Sequence, residues 1–355
     1  MALILVLSGL IAGYSYFTGP PAPADVGETI SSGPSPIIIG NGMVAVTGRD
    51  ISERALKFVE DNMMTEDGDY EYYIIHYGSG PDLKSSADPD NTFFGDIDGG
   101  SLLNEMAYLA YREVGDRASA DAEFRKLYAK CKSRSLCNGN VYAAVYREWQ
   151  DTGNEEYRIA LMFSKPGIYV PGTDSTPLGF SLQSLGFSYL IKKDAESLSA
   201  IDGQLQTGDV ERAGFDPLSY EWFASSCQYA RGESSLFEVD GDPGYMSDEV
   251  LSLSESITNS MGDGLDLNIV VSCGHALVNL YELTGNETYK ESAEGLLSVV
   301  ANSHPDFKKF SAATEDRGIF YVGAAETGSN IHSTVSILDA AFFAARLADS
   351  EVVLK

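Results

Sequence analysis

The segment NTFFGDIDGG (Asn91–Gly100) carries two carboxylates one residue apart, Asp96 and Asp98, among glycines that allow close approach to the backbone. One carboxyl that donates a proton and a second that acts as base or nucleophile is the equipment of glycosidic-bond cleavage. Another acid stands in AAETGSNIHS (Ala324–Ser333), where Glu326 precedes Asn330 and His332. Glu326 is the candidate opposing carboxylate, and His332 can position or exchange a proton near neutrality. A plainer account stays open for each: Asp98 and Asn330 as helix caps, Asp96 as turn chemistry, His332 as a half-buried first-turn residue. Substrate contacts could come from Phe94 beside the aspartates, from Asp216, Tyr220 and Trp222 in FDPLSYEWF, from His76 in YYIIHYG and from His275 in SCGHALV. Trp222 is one of two tryptophans, a natural stacking face if exposed and an ordinary core residue if not.

Other chemistries lack their signatures. There is no G-x-S-x-G elbow, G-x-x-x-x-G-K loop, H-E-x-x-H pair or G-x-G-x-x-G fingerprint, so no cofactor is expected. Asp263 and Asp266 fall short of a calcium loop, and the four histidines do not cluster with the four cysteines, so no metal is expected either. Cys131 and Cys137 flank a short connection and can form a local disulfide, whereas Cys227 and Cys273, inside apolar runs, read as core thiols. A net charge of −28 excludes nucleic acid as a partner and argues against docking on anionic lipid.

The elements that must hold these residues repeat. LLNEMAYLAYREVGD (Leu102–Asp116), VYAAVYREWQDTGNEEYRIALM (Val141–Met162) and HALVNLYELTGNETYKESAEGLLSVV (His275–Val300) each run an apolar helix into a Gly-Asp or Gly-Asn pair and then into a second helix. Gly115, Gly153 and Gly285 are predicted to close the first helix in the left-handed conformation, and Asp116, Asn154 and Asn286 to cap the next. Asn286-Glu287-Thr288 is also a glycosylation sequon, but the repeated cap accounts for it. Amphipathic helices are expected at 51–62, 118–130, 155–163, 195–205, 247–258 and 287–302. A more apolar partner follows each, beginning near Gly99, Asn138, Leu178, Pro217, Leu267 and Asn330. The last, STVSILDAAFFAARLA, is too apolar to cap an open stack, so the chain should close on itself.

On these hairpin signatures, LYELTGNETY above all, the segment from Ile51 to Ala348 resembles the six-hairpin glycosidase and sugar-epimerase class. The resemblance implies an all-α (α/α)6 toroid of about twelve helices with short strands in the long loops, YEYYIIHY and GIFYVG being the strand candidates. The long connections 63–98, 164–177 and 303–329 enter inner helices, so they would gather at one mouth with the helix N-termini. Closure would bring the Glu326 connection opposite Asp96 and Asp98.

Domain organisation follows from the N-terminus. ALILVLSGLIAGYSYF carries no charge and would span about 24 Å as a helix, suiting a signal peptide or minimal anchor (residues 1–17). A Pro/Gly/Ser-rich linker (18–48) leads to the toroid domain (49–355). The expectation is an extracytoplasmic, secreted or membrane-anchored glycoside hydrolase with a carbohydrate substrate. A catalytically silent glycan-binding or cell-surface assembly toroid is the alternative. A terpene-cyclase-like ring fits poorly with the polar loops.

Overall fold

The computed structural model describes residues 37–39, 43–62, 64, 68, 70, 73–77, 81–85, 99–133, 142–171, 178–217, 219–236, 247–260, 267–302 and 331–354. Among these residues twelve helices alternate between two layers. The outer set is α1 (Gly48–Asn62), α3 (Arg117–Ser133), α5 (Glu155–Phe163), α7 (Ala195–Ala213), α9 (Ser247–Ser260) and α11 (Glu287–Asn302). The inner set is α2 (Gly99–Val114), α4 (Tyr142–Thr152), α6 (Leu178–Lys192), α8 (Tyr220–Ser235), α10 (Leu267–Thr284) and α12 (Thr334–Arg346). Each inner helix packs on the next, from α2 through α4, α6, α8 and α10 to α12, and α12 packs back on α2. The helices form the closed (α/α)6 ring that the repeat implied. Burial explains the layering: α10 is buried continuously from Val270 to Val278, as is α12 from Ser336 to Ala345, while outer helices keep charged residues on one side.

The turns between inner and outer helices share one chemistry. Gly115, Gly153 and Gly285 sit at φ 88°, 64° and 66°, conformations that a side chain disfavours. The residue after each glycine caps the outer helix: Asp116 accepts from the Ser119 N–H at 3.1 Å, Asn154 from Glu156 at 3.0 Å and Asn286 from Thr288 at 3.1 Å. A fourth copy escapes a search for glycine. Lys193 takes φ 53° between α6 and α7, and Asp194 accepts from the Ser197 N–H at 2.8 Å. Lys193→Gly should therefore raise stability by about 0.5–1 kcal/mol, read as a higher urea midpoint with unchanged m-value.

Two small sheets tie the ring together. In the first, β1 (Ile37–Ile39) and β2 (Met43–Thr47) pair as a hairpin, and β2 pairs with β6 (Glu351–Leu354), from Val44 opposite Leu354 to Thr47 opposite Glu351. The end of the segment read as a linker thus carries two strands. Gly48 then passes so close to α12 that a Cβ there would lie 2.1 Å from the Leu347 carbonyl oxygen, so only glycine fits this seam. In the second sheet, β3 (Tyr73–Tyr77) is flanked by β4 (Pro81–Ser85) and β5 (Ile331–Ser333). Within YEYYIIHY, Tyr73–Tyr77 forms a strand as expected, and GIFYVG lies outside the described residues.

One expectation is overturned. Cys227 on α8 and Cys273 on α10 are not separate core thiols but a disulfide with a Cα–Cα distance of 4.6 Å. Both are completely buried, and the sulfurs meet because these two helices are neighbours in the ring. Hydropathy sees two apolar positions and cannot register that they face each other. Cys137 lies outside the described residues, as does the Cys131 side chain.

Candidate functional site

Each tight Gly-Asp or Gly-Asn turn joins the end of an inner helix to the start of an outer one, so the inner helices all begin at the opposite end of the ring. That end is the mouth. The central strand β3, on the connection from α1 to α2, pairs with β5, which leads directly into α12. Since α2 and α12 also pack together, the connections bearing Asp96 and Asp98 on one side and Glu326 on the other lead into neighbouring inner helices. Phe94, Asp96, Asp98, Glu326 and Asn330 themselves lie outside the described residues. The strand register sets His76 opposite Asp82 and Ile331, and His332 opposite Ile75. The two histidines are therefore on paired strands but not directly opposite one another.

The remaining mouth candidates sit at the start of α8. Asp216 is exposed, and Tyr220 is the first residue of the helix. Ser219 caps it, accepting from the Trp222 N–H at 3.1 Å. Trp222 is half-buried, packed against the core with its ring edge-on to Phe223 at 5.3 Å. Part of its face is committed to packing. The N–H groups of two inner helices are likewise engaged: Ser219 serves α8, and the buried carboxyl of Glu105 on α2 accepts from Ala143 and Ala144 in the first turn of α4. Burial holds Glu105 well above the usual carboxylate range, more strongly than those N–H groups and Arg231 pull it down. A buried carboxyl thus closes the start of α4.

His275 lies deeper, in a polar array that crosses three inner helices. Arg231 on α8 grips Asp339 on α12 with two hydrogen bonds, Nη1 to Oδ2 at 2.6 Å and Nη2 to Oδ1 at 3.0 Å, while its guanidinium stacks 4.1 Å over Phe180. His275 Nε2 stands 3.2 Å from Asp339 Oδ1, at ion-pair distance but off the hydrogen-bond angle. On the other side of the ring, Arg346 Nη1 is 3.1 Å from Nδ1. A guanidinium can only donate, so Nδ1 accepts and the imidazole proton resides on Nε2, toward Asp339. Arg346 also donates to Asn279 and Glu282, both at 2.8 Å, and Asn279 donates to Ser234 at 2.9 Å.

The charges set the protonation states. Burial pushes His275 down to about 4, with Arg231 adding to the effect against the pull of Asp339, so the ring is neutral near pH 7. Burial would raise Asp339, but Arg231 and His275 together hold it well below the usual carboxylate range. The array is thus an ionised pair bracketed by a neutral histidine and a second guanidinium. Its chemistry is structural, fixing the rotation of α8, α10 and α12 relative to one another. Among the described residues no group of three His, Cys, Asp or Glu is placed to hold a metal ion.

Arg231, Asp339, Arg346 and Glu105 were not among the candidates from sequence. A signal was present. Asp339 is the only charge between Ser333 and Ala345, so a lone acid in a helix apolar on every face has to be paired inside. Nothing in the sequence indicates that its partner is Arg231, 108 residues away.

No family model matches the chain, and no curated protein is recognisably similar to it. Solved structures do resemble it along most of its length. An α-mannanase of glycoside hydrolase family 76 from Bacteroides thetaiotaomicron has a TM-score of 0.54 at 12% identity, covering 86% of this chain and 96% of its own. The family 76 α-1,6-mannanase of Salegentibacter sp. HEL1_6 has a TM-score of 0.52 at 11% identity, covering 85% and 99%. An inactive variant of that enzyme, with two consecutive aspartates replaced by alanine, is seen in complex with α-1,6-mannotetrose (TM-score 0.53, 11% identity, 85% and 99% covered). At these identities the likeness defines the fold: this chain is a six-hairpin (α/α)6 toroid.

Proposed function

We propose that this chain is an extracytoplasmic glycoside hydrolase acting on an α-mannoside-type polysaccharide, with Asp98 or Asp96 as one catalytic carboxyl and Glu326 as its counterpart. The observation that carries the reading is the closed seam. The acid-bearing connections lead into α2 and α12, which pack together, and β3, on the first of these connections, pairs with β5, which leads into α12. Two carboxyls on adjoining connections have the opportunity to flank one sugar, which acid and base roles require. Substrate class follows from the resemblance to family 76 mannanases in overall fold. Placement outside the cytoplasm draws on the Cys227–Cys273 disulfide, which persists in an oxidising compartment, and on the uncharged apolar stretch Ala2–Phe17.

One observation favours the silent toroid as a second reading. The inactive Salegentibacter variant lacks two consecutive aspartates, and this chain has no two consecutive aspartates anywhere. The experiment that separates the readings pairs reducing-end release from α-1,6-mannan with affinity electrophoresis on the same polysaccharide. Turnover that falls by about 10²–10⁴ in Asp98→Asn or Glu326→Gln, with binding retained, is the expected result. Binding without turnover in the parent chain identifies a glycan-binding toroid. Turnover indifferent to Asp96→Asn, Asp98→Asn and Glu326→Gln removes the catalytic assignment.

A further inference from the structure

Asn286-Glu287-Thr288 is the chain's one Asn-x-Ser/Thr triplet, and the structure separates what its residues do. The cap accounts for Asn286. It does not account for Thr288. The turn from α4 to α5 is spelled Thr152-Gly153-Asn154-Glu155-Glu156, and the turn from α10 to α11 is spelled Thr284-Gly285-Asn286-Glu287-Thr288, so the two differ only in their last residue. Their geometry is the same. The Asn154 N–H donates to Thr152 Oγ1 and the Asn286 N–H to Thr284 Oγ1, both at 3.2 Å. Asn154 Oδ1 then accepts from the Glu156 N–H at 3.0 Å, and Asn286 Oδ1 from the Thr288 N–H at 3.1 Å. The last residue gives the cap only its backbone N–H, so a hydroxyl is not needed there.

Thr288 also departs from local preference. The helix dipole favours an acid in the first turn, and Glu156 and Glu196 hold the equivalent position two residues after the caps Asn154 and Asp194. Thr288 forgoes that gain in a chain with 52 acids. Asn286, Glu287 and Thr288 are all exposed, and the Asn286 amide commits Oδ1 to the cap, leaving Nδ2 outside it. The turn stands at the end of the ring opposite the mouth, so a bulky group on Nδ2 would lie clear of the acid-bearing connections.

We propose that Asn286 is the acceptor of an N-linked glycan, an inference that rests on the extracytoplasmic placement proposed above. The donor is an oligosaccharide activated at its anomeric carbon by a lipid phosphate or pyrophosphate. In the transfer the bond from C1 to the phosphate oxygen breaks and a bond forms from C1 to Asn286 Nδ2, which gives up one proton. The lipid phosphate leaves with the electron pair of the broken bond. The Thr288 hydroxyl is what the transferase reads two residues beyond the acceptor. The product suits the fold. Glycosylation turns the primary amide into a secondary one, and Oδ1 still accepts from the Thr288 N–H to cap α11.

The test is mass spectrometry of the full chain, with its own N-terminus, expressed in a eukaryotic secretory host. Expected is a glycan on the tryptic peptide that ends at Lys290, released by an amidase that leaves Asp in place of Asn286. Asn286→Asp keeps a capping oxygen, and Thr288→Glu reproduces the Asn154 turn. Each should lose all of the glycan at an unchanged or higher urea midpoint. The twin turn supplies the converse: Glu156→Thr should add a second glycan, on Asn154. A secreted chain bare at Asn286 overturns the proposal and leaves the hydrolase reading untouched. A glycan that survives Thr288→Glu overturns it too, because its acceptor then lies elsewhere. A chain held in the cytoplasm with Cys227 and Cys273 reduced removes the placement and this proposal together. Glycan occupancy does not depend on turnover, so a failure of the catalytic assignment is read separately.

Discussion

Arg231→Met is expected to destabilise the ring by about 3–5 kcal/mol, the cost of leaving a buried carboxylate without its partner. Asp339 is almost wholly buried on α12, and both of its oxygens are held by the Arg231 guanidinium. Methionine can fill much of the volume over Phe180 but cannot neutralise the charge. In the variant Asp339 must take up a proton or draw in water, and either change loosens the α8–α12 contact. A fall in Tm of about 10 °C is a reasonable scale for a domain of this size. Replacing both partners, as Arg231→Met with Asp339→Leu, should restore most of the loss, because no uncompensated charge then remains. Urea unfolding of the two single variants and the double variant measures the coupling directly. Additive single losses would show that the pair does not act as a unit.

The same array predicts how stability follows pH. Free histidine titrates near 6.5, whereas His275 in the fold is pushed down to about 4. Between those values the unfolded chain binds a proton that the folded chain does not, so stability falls as pH drops from 6.5 to 4, by on the order of 3 kcal/mol. Asp339, held below its ordinary value, extends the loss to lower pH: its contribution is present above about 3.9 and disappears as the carboxylate protonates. Glu105 works in the opposite direction. Its folded carboxyl retains a proton that the unfolded chain releases above 4.5, which favours the fold in acid. Because Glu105 offsets part of this loss, the His275 contribution is read as a difference: the urea midpoint of the parent relative to that of His275→Gln should fall from pH 7 through 5.5 to 4.5.

What could be read from sequence divides along the line between local and distant causes. The left-handed turn at Gly115, Gly153 and Gly285 depends on two adjacent residues, so its spelling predicts its geometry, and the count of six hairpins follows. Where Lys193 occupies the same conformation the signal vanishes, although Asp194 after it still caps the helix. Closure was legible from the apolar character of α12 because a uniformly apolar helix has to be buried on every side. The stitches of closure were not. The β2–β6 pairing and the tight passage of Gly48 beside Leu347 join opposite ends of the chain, as the Arg231–Asp339 pair joins α8 to α12. For the site, proximity of the two acid-bearing connections was legible as a consequence of closure. The sequence offers His275 only as a possible substrate contact, because its place as a neutral ring between the Asp339 carboxylate and the Arg346 guanidinium depends on partners from other parts of the chain.

Loss of the Cys227–Cys273 disulfide should be the second large effect, about 4 kcal/mol in the chain-entropy treatment of a bond closing a 46-residue separation. The bond joins α8 to α10 at the level of the Gln228–Ser272 hydrogen bond (2.8 Å) and one helical turn from Arg231. Removing it therefore also loosens the seat of the polar array. Cys227→Ala with Cys273→Ala should lower the urea midpoint without preventing folding, because both positions are completely buried and alanine leaves small apolar voids rather than unpaired polar atoms. The combination with Arg231→Met should be more than additive, since the disulfide and the ion pair constrain the same helix junction. Reduction of the intact chain offers a second route to the same state. With both sulfurs buried, dithiothreitol should act only as fast as the α8–α10 contact opens, so its rate should rise with sub-denaturing urea. Rapid, urea-independent reduction would show that this junction opens freely, and the predicted coupling to Arg231 would fail with it.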